Sequence, residues 1–267
     1  MARKWTTDEE KLHRNELERL YLKQNLTIAE VGEVLGIAES TAYDRLKRLD
    51  ISTVRHLKKS VNNIRQNITI PTRYSNKLAE FFGVMLGDGH LTHFQIVITL
   101  GSKEIEYVRY VAQLITDIFE VPARIATRRK TSHASTYHNV YIGSVQATAW
   151  LRKEGLVSNK VKEQVDSPKW IFSKKSYKQH FLRGFFDTDG SVYLLRHGIQ
   201  IAFICYSRPL LEALQLMLRQ LEYSPSAISN NRVYITRRKQ IRRFFKEIAP
   251  ANPKHQRRYQ EFESMRR

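Results

Sequence analysis

The sequence predicts an α+β protein made of two related halves with antiparallel sheets, preceded by a small all-α domain. Residues 78–90 and 179–191 both read as an apolar helix that ends in Asp-Gly, and the segments after them follow in the same order. The N-terminal part instead carries apolar residues at helical spacing. We therefore expect four parts: a helical domain (1–54), a basic linker (55–76), a first repeat (77–178) and a second repeat (179–267).

Charge and composition limit the function classes. The 267 residues include 45 Lys+Arg against 26 Asp+Glu, a net charge of +19, which indicates a polyanion such as nucleic acid as the partner. A single cysteine, Cys205, excludes a disulfide framework and a multi-cysteine zinc site. No apolar run reaches the roughly 18 residues of a membrane span, and no apolar signal segment opens the chain. We expect an intracellular protein, cytoplasmic, nucleoid-associated or organellar, with no membrane partner.

The N-terminal domain is predicted to consist of helices. Residues 9–24 form the first, because Leu12, Leu17, Leu20 and Tyr21 recur mostly at helical spacing. A basic segment follows this domain: residues 55–76 contain five basic side chains and no acidic one. This linker is either an extended tether along phosphates or an ordinary solvated connector.

A second helix begins after Thr27, which forms a capping-box pattern with Glu30, and ends near Gly36. A third helix spans about residues 39–49. Helix, glycine turn and helix together resemble the helix-turn-helix of small DNA-binding domains, in which the second helix enters the major groove. A plain helical hairpin is the alternative. The resemblance implies DNA contacts by Thr41, Tyr43, Arg45 and Lys47.

The two repeats align on their glycines and acids. Gly83 meets Gly184 and Asp88 meets Asp189, each pair 101 residues apart. Strand-like and helical runs follow in matching order, so each copy is predicted as αββαββα with an antiparallel sheet. By the period of two, eight apolar positions face the helices, namely Ile96, Ile98, Val140, Ile142, Ile201, Phe203, Val233 and Ile235. Their neighbours leave a polar, basic and aromatic outer face.

The Asp-Gly ends place two carboxylates at helix C-termini, where the helix dipole disfavours negative charge. Gly89 and Gly190 are predicted to end these helices in left-handed geometry. Gly83 and Gly184 have no side chain, so the two helix backbones can pack closely on each other. Asp88 and Asp189 would then meet, and a divalent cation would relieve their repulsion.

FFGVMLGDG (residues 81–89) and LRGFFDTDG (residues 182–190) look like the paired LAGLIDADG motifs of homing endonucleases in their two-motif, single-chain form. The resemblance covers about residues 75–262. It implies a pseudo-symmetric monomer whose two sheets sit on the major groove of a long double-stranded DNA site. It also implies metal binding by Asp88 and Asp189, with Gly87 and Thr188 beside them. The metal would be Mg²⁺ or Mn²⁺, with Ca²⁺ as a non-catalytic substitute.

The same resemblance implies a basic residue near each metal. Lys160 and Lys254 are the candidates, with Lys162 or His255 as fallbacks. Three positions depart from the motif: Leu86 replaces an acid that Asp187 keeps, and Phe82 and Arg183 replace a small residue. We expect Leu86 to alter helix-end packing rather than the metal, and Arg183 to point to solvent or phosphate. Candidate DNA contacts of the repeats are Thr92, Gln95, Thr99, Arg124, Arg128, Lys130, Asn139, Tyr141, Tyr193, His197, Gln200, Arg232, Tyr234 and Arg237.

The sequence thus predicts a site-specific double-strand DNA endonuclease that hydrolyses phosphodiesters with divalent metal and leaves a staggered cut. Metal held by two carboxylates can supply both the activated water and the charge neutralisation that this hydrolysis needs. We expect no small-molecule cofactor. The alternative is a transcription regulator or an RNA-splicing maturase that keeps the fold without cutting.

Overall fold

The computed structural model describes residues 5–24, 26–51, 68–129, 136–196 and 198–264. Most of the predicted linker (55–67) and two predicted DNA contacts, Lys130 and His197, lie outside these ranges. The chain forms two compact units, residues 1–61 and 62–267. Their helices and antiparallel sheets confirm the predicted α+β class. None of the described helices is long and apolar enough to cross a membrane.

The N-terminal unit is helical. Its elements are α1 (Thr7–Leu17), a π-helical turn (Glu18–Lys23), α2 (Ile28–Leu35) and α3 (Glu39–Arg48). The predicted capping box of Thr27 and Glu30 forms, and Gly36 ends α2 in left-handed geometry at φ 63°. The core includes Leu17, Leu20, Tyr21, Val31, Ala42, Leu46 and Leu49. Leu12, which we grouped with the helix's apolar positions, is instead 67% exposed.

The first repeat comprises α4 (Asn76–Leu86), β1 (Gly89–Leu91), β2 (Gln95–Gly101), α5 (Ile105–Phe119), β3 (Arg124–Arg129), β4 (Thr136–Gly143) and α6 (Val145–Lys153). Its antiparallel sheet has the strand order β1-β2-β4-β3. The second repeat comprises α7 (Lys175–Asp189), β5 (Gly190–Leu195), β6 (Gly198–Ile204), α8 (Arg208–Gln220), β7 (Arg232–Ile235), α9 (Arg238–Glu247) and α10 (Pro253–Ser264). A 3₁₀ turn (Lys169–Ser173) precedes α7.

The two sheets share their central register. Ile96 pairs with Ile142 in the first sheet, as Ile201 pairs with Ile235 in the second. All eight positions predicted to face the helices are buried. The alternation expected for a sheet with one covered face is therefore confirmed in both copies.

The second sheet differs from the prediction at one edge. Among the described residues it has three strands, β5-β6-β7, and no counterpart of β3. The segment before β7 contains Pro225, which lacks a backbone donor, and Ser and Asn residues that favour turns. Ser226 N donates to Tyr234 O (2.8 Å), but Tyr234 N donates to the Ser226 hydroxyl (3.0 Å), so side-chain bonding replaces a regular ladder.

The central helices α4 and α7 pack backbone to backbone, as predicted. A Cβ on Gly83 would lie 2.2 Å from Phe181 O, and one on Gly184 would lie 2.1 Å from Glu80 O. The two contacts are reciprocal under the 101-residue offset, so the helices cross about a pseudo-twofold axis. Only glycine allows this approach.

Gly89 and Gly190 are also required, but not for the reason we expected. Neither adopts a positive φ, and Gly190 has φ −83° and ψ 158°, which is extended. A Cβ on Gly89 would lie 2.5 Å from Met85 Cα, and one on Gly190 would lie 2.2 Å from Phe186 O. Each glycine begins a strand against the end of its own helix, so close packing rather than left-handed geometry selects it.

Arg183 corrects a second expectation. Its guanidinium turns inward instead of toward solvent or phosphate: its Nε donates to Ala249 O (2.8 Å), and its Nη1 lies 3.4 Å from Glu80 Oε2. Glu80 is buried on α4 and also accepts a hydrogen bond from the Tyr110 hydroxyl. A buried carboxylate needs such partners. Arg183 therefore joins the two repeats.

Candidate metal and nucleic-acid site

The C-terminal ends of α4 and α7 meet at the pseudo-twofold axis. Gly87, the last residue before Asp88, lies so close to α7 that a Cβ there would be 1.9 Å from Thr188 Oγ1 and 3.6 Å from Asp189 Oδ2. The Thr188 hydroxyl is buried and donates within its own helix, to Phe185 O (2.9 Å). The structure therefore brings together the predicted metal residues Asp88, Asp189, Gly87 and Thr188.

The surroundings of Asp88 and Asp189 disfavour the ionised forms of their carboxyl groups. Burial, and then the negative charge of Asp189, raise the pKa of Asp88 to about 7, against the opposing charges of Lys254 and Lys160. Burial raises the pKa of Asp189 as well. Two carboxylates held close together in this way can bind a divalent cation, whose positive charge would offset the repulsion between them.

Lys160 reaches the same place from the loop after α6. Its ammonium donates to Met85 O (3.3 Å) and to Gly87 O, the carbonyls at the end of α4. Burial lowers the pKa of Lys160, although the charges of Asp189 and Asp88 oppose that change. A carbonyl has two lone pairs, so the Gly87 oxygen keeps one for a cation.

Lys254 approaches from the start of α10 and forms an ion pair with Glu104, at 3.0 Å between Nζ and Oε1. Of the fallback residues, Lys162 is exposed in the loop after Lys160. His255 is buried against Phe186, and burial and then the charge of Lys254 lower its pKa to about 3. A neutral, buried imidazole cannot neutralise phosphate, so the geometry favours Lys160 and Lys254 over both alternatives.

The motif acid that only the second repeat keeps is structural. Asp187 is buried and accepts the backbone N–H groups of Ala251 (2.8 Å) and Asn252 (3.0 Å), which fixes the loop that leads to Lys254. Burial raises its pKa to about 7, against the effect of these two donors. Leu86, in the matching position, is buried in the apolar core, so the loop before Lys160 lacks this anchor.

Two clefts flank the acid pair. One, of about 500 Å³, is lined by Asp88, Thr99 and Tyr137 of the first repeat. The other, of about 360 Å³, is lined by Asp189, Lys254 and Arg258 of the second. Each cleft lies beside one acid and one sheet.

The outer face of the first sheet carries most of its predicted DNA contacts in register. Arg124 lies opposite Tyr141, and Asn139 lies between Thr99 and Ala126. Thr99 Oγ1 donates to Asn139 Oδ1 (3.0 Å). Arg128 continues this face on the edge strand, and Gln95 lies at the start of β2. Thr92 instead accepts the N–H groups of Phe94 and Gln95 in the β1–β2 turn.

The outer face of the second sheet is smaller. Tyr193 lies opposite Gln200, and Tyr234 opposite Ala202. Arg232 is exposed at the start of β7, whereas Arg237 lies beyond the sheet, at the N-cap of α9.

In the N-terminal unit, Thr41, Tyr43 and Lys47 are exposed on α3. Arg45 lies 5.6 Å and Arg48 4.2 Å from the ring centroid of Trp5, so this aromatic side chain partly holds both arginines.

Sequence reasoning missed three residues around the acids: Glu104, Asn252 and Tyr137. Glu104 is the residue directly before helix α5, although its side chain makes no capping hydrogen bond, and Asn252 precedes the Pro-Lys start of α10. A polar residue directly before a helix usually signals a cap, so nothing in the sequence marked these side chains for the site.

Two repeats whose central helices end at a pair of partly buried acids define a pseudo-symmetric α+β protein of the LAGLIDADG fold. Residues 78–142 match the WhiA LAGLIDADG-like domain, and residues 176–249 match a LAGLIDADG-like domain. The chain therefore contains two LAGLIDADG-like domains, one in each repeat.

Individual relatives are distant. The replication factor C small subunit of Methanocaldococcus jannaschii is 30% identical over 129 residues, 48% of this chain, and the chain spans only 7% of that relative's length. The N-terminal LAGLIDADG domain of DUF199/WhiA is 17% identical, with a TM-score of 0.45, over 66% of this chain and 82% of that one. I-DmoI in complex with DNA and Mn is 14% identical, with a TM-score of 0.44, over 65% and 96%.

The raised pKa values have a consequence for stability. We expect Asp88→Asn to stabilise the metal-free protein at alkaline pH. The folded-state pKa of about 7 exceeds the ordinary 3.8, so the stability that the proton contributes is complete below about pH 4 and is lost as the pH rises through 7. Above that pH the partly buried charge costs roughly 1–3 kcal/mol, and the amide removes this cost.

Melting temperatures in EDTA at pH 5 and pH 8 test this expectation, and the gain of the variant should be larger at pH 8. Glu106→Gln removes an exposed carboxylate from the same repeat and should leave both values near wild type. A variant that melts below wild type at pH 8 would show that the Asp88 carboxylate stabilises the fold.

Proposed function

We propose that this chain is a site-specific, metal-dependent endonuclease that cuts both strands of a long double-stranded DNA site with a stagger. The observation that carries the proposal is the pair of partly buried acids, Asp88 and Asp189, with the ammonium groups of Lys160 and Lys254 close to them. An acid pair at the junction of two basic domains would weaken plain DNA binding, because carboxylates repel phosphates. With a divalent cation held between them, Asp88 and Asp189 would attract phosphate instead of repelling it.

The residues present fit a divalent metal. Mg²⁺ is commonly bound in proteins by one or two carboxylates, with water and substrate phosphate completing the shell. Asp88 and Asp189 would hold it, beside the carbonyl of Gly87 and the backbone at Thr188. When bound, such an ion would lower the pKa of a coordinated water and neutralise charge on the scissile phosphate. No cluster of three or more His, Cys, Asp or Glu occurs in the described part of the chain, so phosphate and water must supply the remaining ligands.

The chain's own residues would do the rest. Lys160 and Lys254 would place positive charge at the two scissile phosphates, where charge builds up in the transition state. The outer faces of the sheets would carry the base and phosphate contacts, with the arginines best suited to guanine edges. The N-terminal unit would add a tethered second footprint through α3, which raises affinity without another active site.

Cleavage of a supercoiled plasmid library tests the proposal. With Mg²⁺ or Mn²⁺ the wild-type protein should linearise only those plasmids that carry one long site, and sequencing of the ends should show the stagger. Ca²⁺ should support binding without cutting, and EDTA should abolish cutting.

A second candidate function is sequence-specific DNA binding without cleavage, as in a transcription regulator, or an RNA-splicing role. The helix-turn-helix arrangement of α2 and α3 favours it, as does the loss of one motif acid at Leu86. Selective retention of a DNA site, with intact plasmid under every metal tested, would establish the regulator. Preferential retention of structured RNA would establish the splicing role.

A further inference from the structure

The two lysines of the candidate site are held in different ways. Lys254 Nζ lies 3.0 Å from Glu104 Oε1, an ion pair that joins the second repeat to the first. Lys160 takes part in no ion pair within the described residues and donates to backbone carbonyls. The surroundings of Lys160 and Lys254 therefore differ chemically, although the backbone folds of the two repeats match.

Glu104 is held on both of its oxygens. Oε1 accepts from Lys254 and from Asn252 Nδ2 (3.1 Å), and Oε2 accepts from Gly101 N (3.1 Å). Asn252 Nδ2 also donates to Asp187 O (3.0 Å). The carboxylate is therefore fixed to the turn before α5 and to the loop that the buried motif acid anchors.

Among the described residues of the second repeat, no carboxylate occupies the position that matches Glu104. Glu104 is the N-cap residue of α5, and the N-cap residue of α8 is Ser207. The Ser207 hydroxyl donates to Val165 O (2.5 Å) and carries no charge. The matching cap therefore cannot form an ion pair with Lys160.

We propose that Glu104 is a positioning residue that fixes the Lys254 ammonium at the acid pair, so that cutting of one DNA strand depends on Glu104 and cutting of the other does not. The inference rests on the proposed function. A lysine side chain has many rotamers, and an ammonium that is already in place loses less entropy when it meets the transition state. Lys160 is positioned instead by its hydrogen bonds to the carbonyl groups at the end of α4.

Glu104→Gln is the sharpest substitution. All three partners of the carboxylate are donors, and an amide offers one acceptor oxygen and one donor nitrogen, so at least one contact must be lost. We expect the strand that depends on Lys254 to be cut about tenfold more slowly, the usual order for a lost charge-assisted hydrogen bond. The other strand should be cut at the wild-type rate, and nicked plasmid should accumulate.

Three comparisons separate positioning from general damage. Glu106→Gln removes an exposed carboxylate two residues away and should leave both strand rates unchanged. Lys254→Met should slow the same strand, and adding Glu104→Gln to it should slow that strand no further. Equal slowing of both strands, or additive effects in the double variant, would overturn the proposal.

A readout without DNA tests the hold on Lys254 directly. The full chain is treated briefly with acetic anhydride, and acetylation of each lysine is measured by mass spectrometry. Glu104→Gln should make Lys254 react several-fold faster and leave Lys160 unchanged, whereas an unchanged Lys254 rate would overturn the proposal. A wild-type protein that cuts no plasmid would instead refute the proposed function, so the two failures are distinguishable.

Discussion

If the proposed function holds, replacement of either Asp88 or Asp189 by Asn is expected to reduce DNA cutting by about a thousandfold or more, because each amide removes an oxygen proposed to bind the metal and a negative charge. Both strands should be affected, since the two acids lie together at the end of the central helices. Binding to the selected site in Ca²⁺ should persist. Rates on the selected plasmid, with binding measured in parallel, provide the measurement.

Asp166→Asn is a matched control for this pair. Asp166 is exposed in the loop after Lys160, and an asparagine oxygen can still accept the Ser167 N–H that Asp166 accepts at 2.6 Å. This variant should cut at nearly the wild-type rate. Wild-type cutting by both Asp88→Asn and Asp189→Asn would refute the assignment of the acids to the metal.

Gly184→Ala is expected to destabilise the two-repeat unit by about 3 kcal/mol, a large effect for one methyl group. The added Cβ would lie 2.1 Å from Glu80 O and 2.9 Å from Val84 N, and both are backbone atoms of the neighbouring helix. The helices would have to separate, which would also disturb the meeting of the acids. Urea unfolding followed by the fluorescence of Trp150 and Trp170 measures the change.

Gly198→Ala makes the same chemical change where there is space, since nothing lies within 4 Å of a Cβ at that position. Its effect should stay within about 0.5 kcal/mol. If the two variants unfolded at the same urea concentration, the close approach of α4 and α7 would not be a source of stability.

Much of the fold could be predicted because periodicity and repetition are properties of the chain. The inward positions of both sheets follow from alternation, and the helix pair follows from Gly83 and Gly184. The prediction for Leu12 was wrong because spacing shows which residues share a helical face but not whether another element covers that face. The prediction of a fourth strand, before β7, was wrong because it extended the pattern of the first repeat over a segment whose turn residues disfavour strand pairing.

Residues of the candidate site could be predicted only where both repeats carry a matching one. Asp88 and Asp189 are paired by the offset, and Lys160 and Lys254 by the family resemblance. Glu104 and Asn252 occur once each, and Arg183 looked like a phosphate ligand because its partner, Glu80, lies 103 residues away. A contact between residues so distant in sequence leaves no local pattern.

By itself the sequence determined the duplicated α+β unit, the helical N-terminal unit and the two acids, because hydrophobic period, capping residues and internal repetition are written locally. Only the tertiary structure decided that Gly89 and Gly190 serve packing, that Arg183 pairs with Glu80, and that Glu104 holds Lys254. These features depend on atoms that meet across the pseudo-twofold axis or at a helix end. The free energy of these contacts depends on interatomic distance and burial, and the spacing of residues along the chain specifies neither.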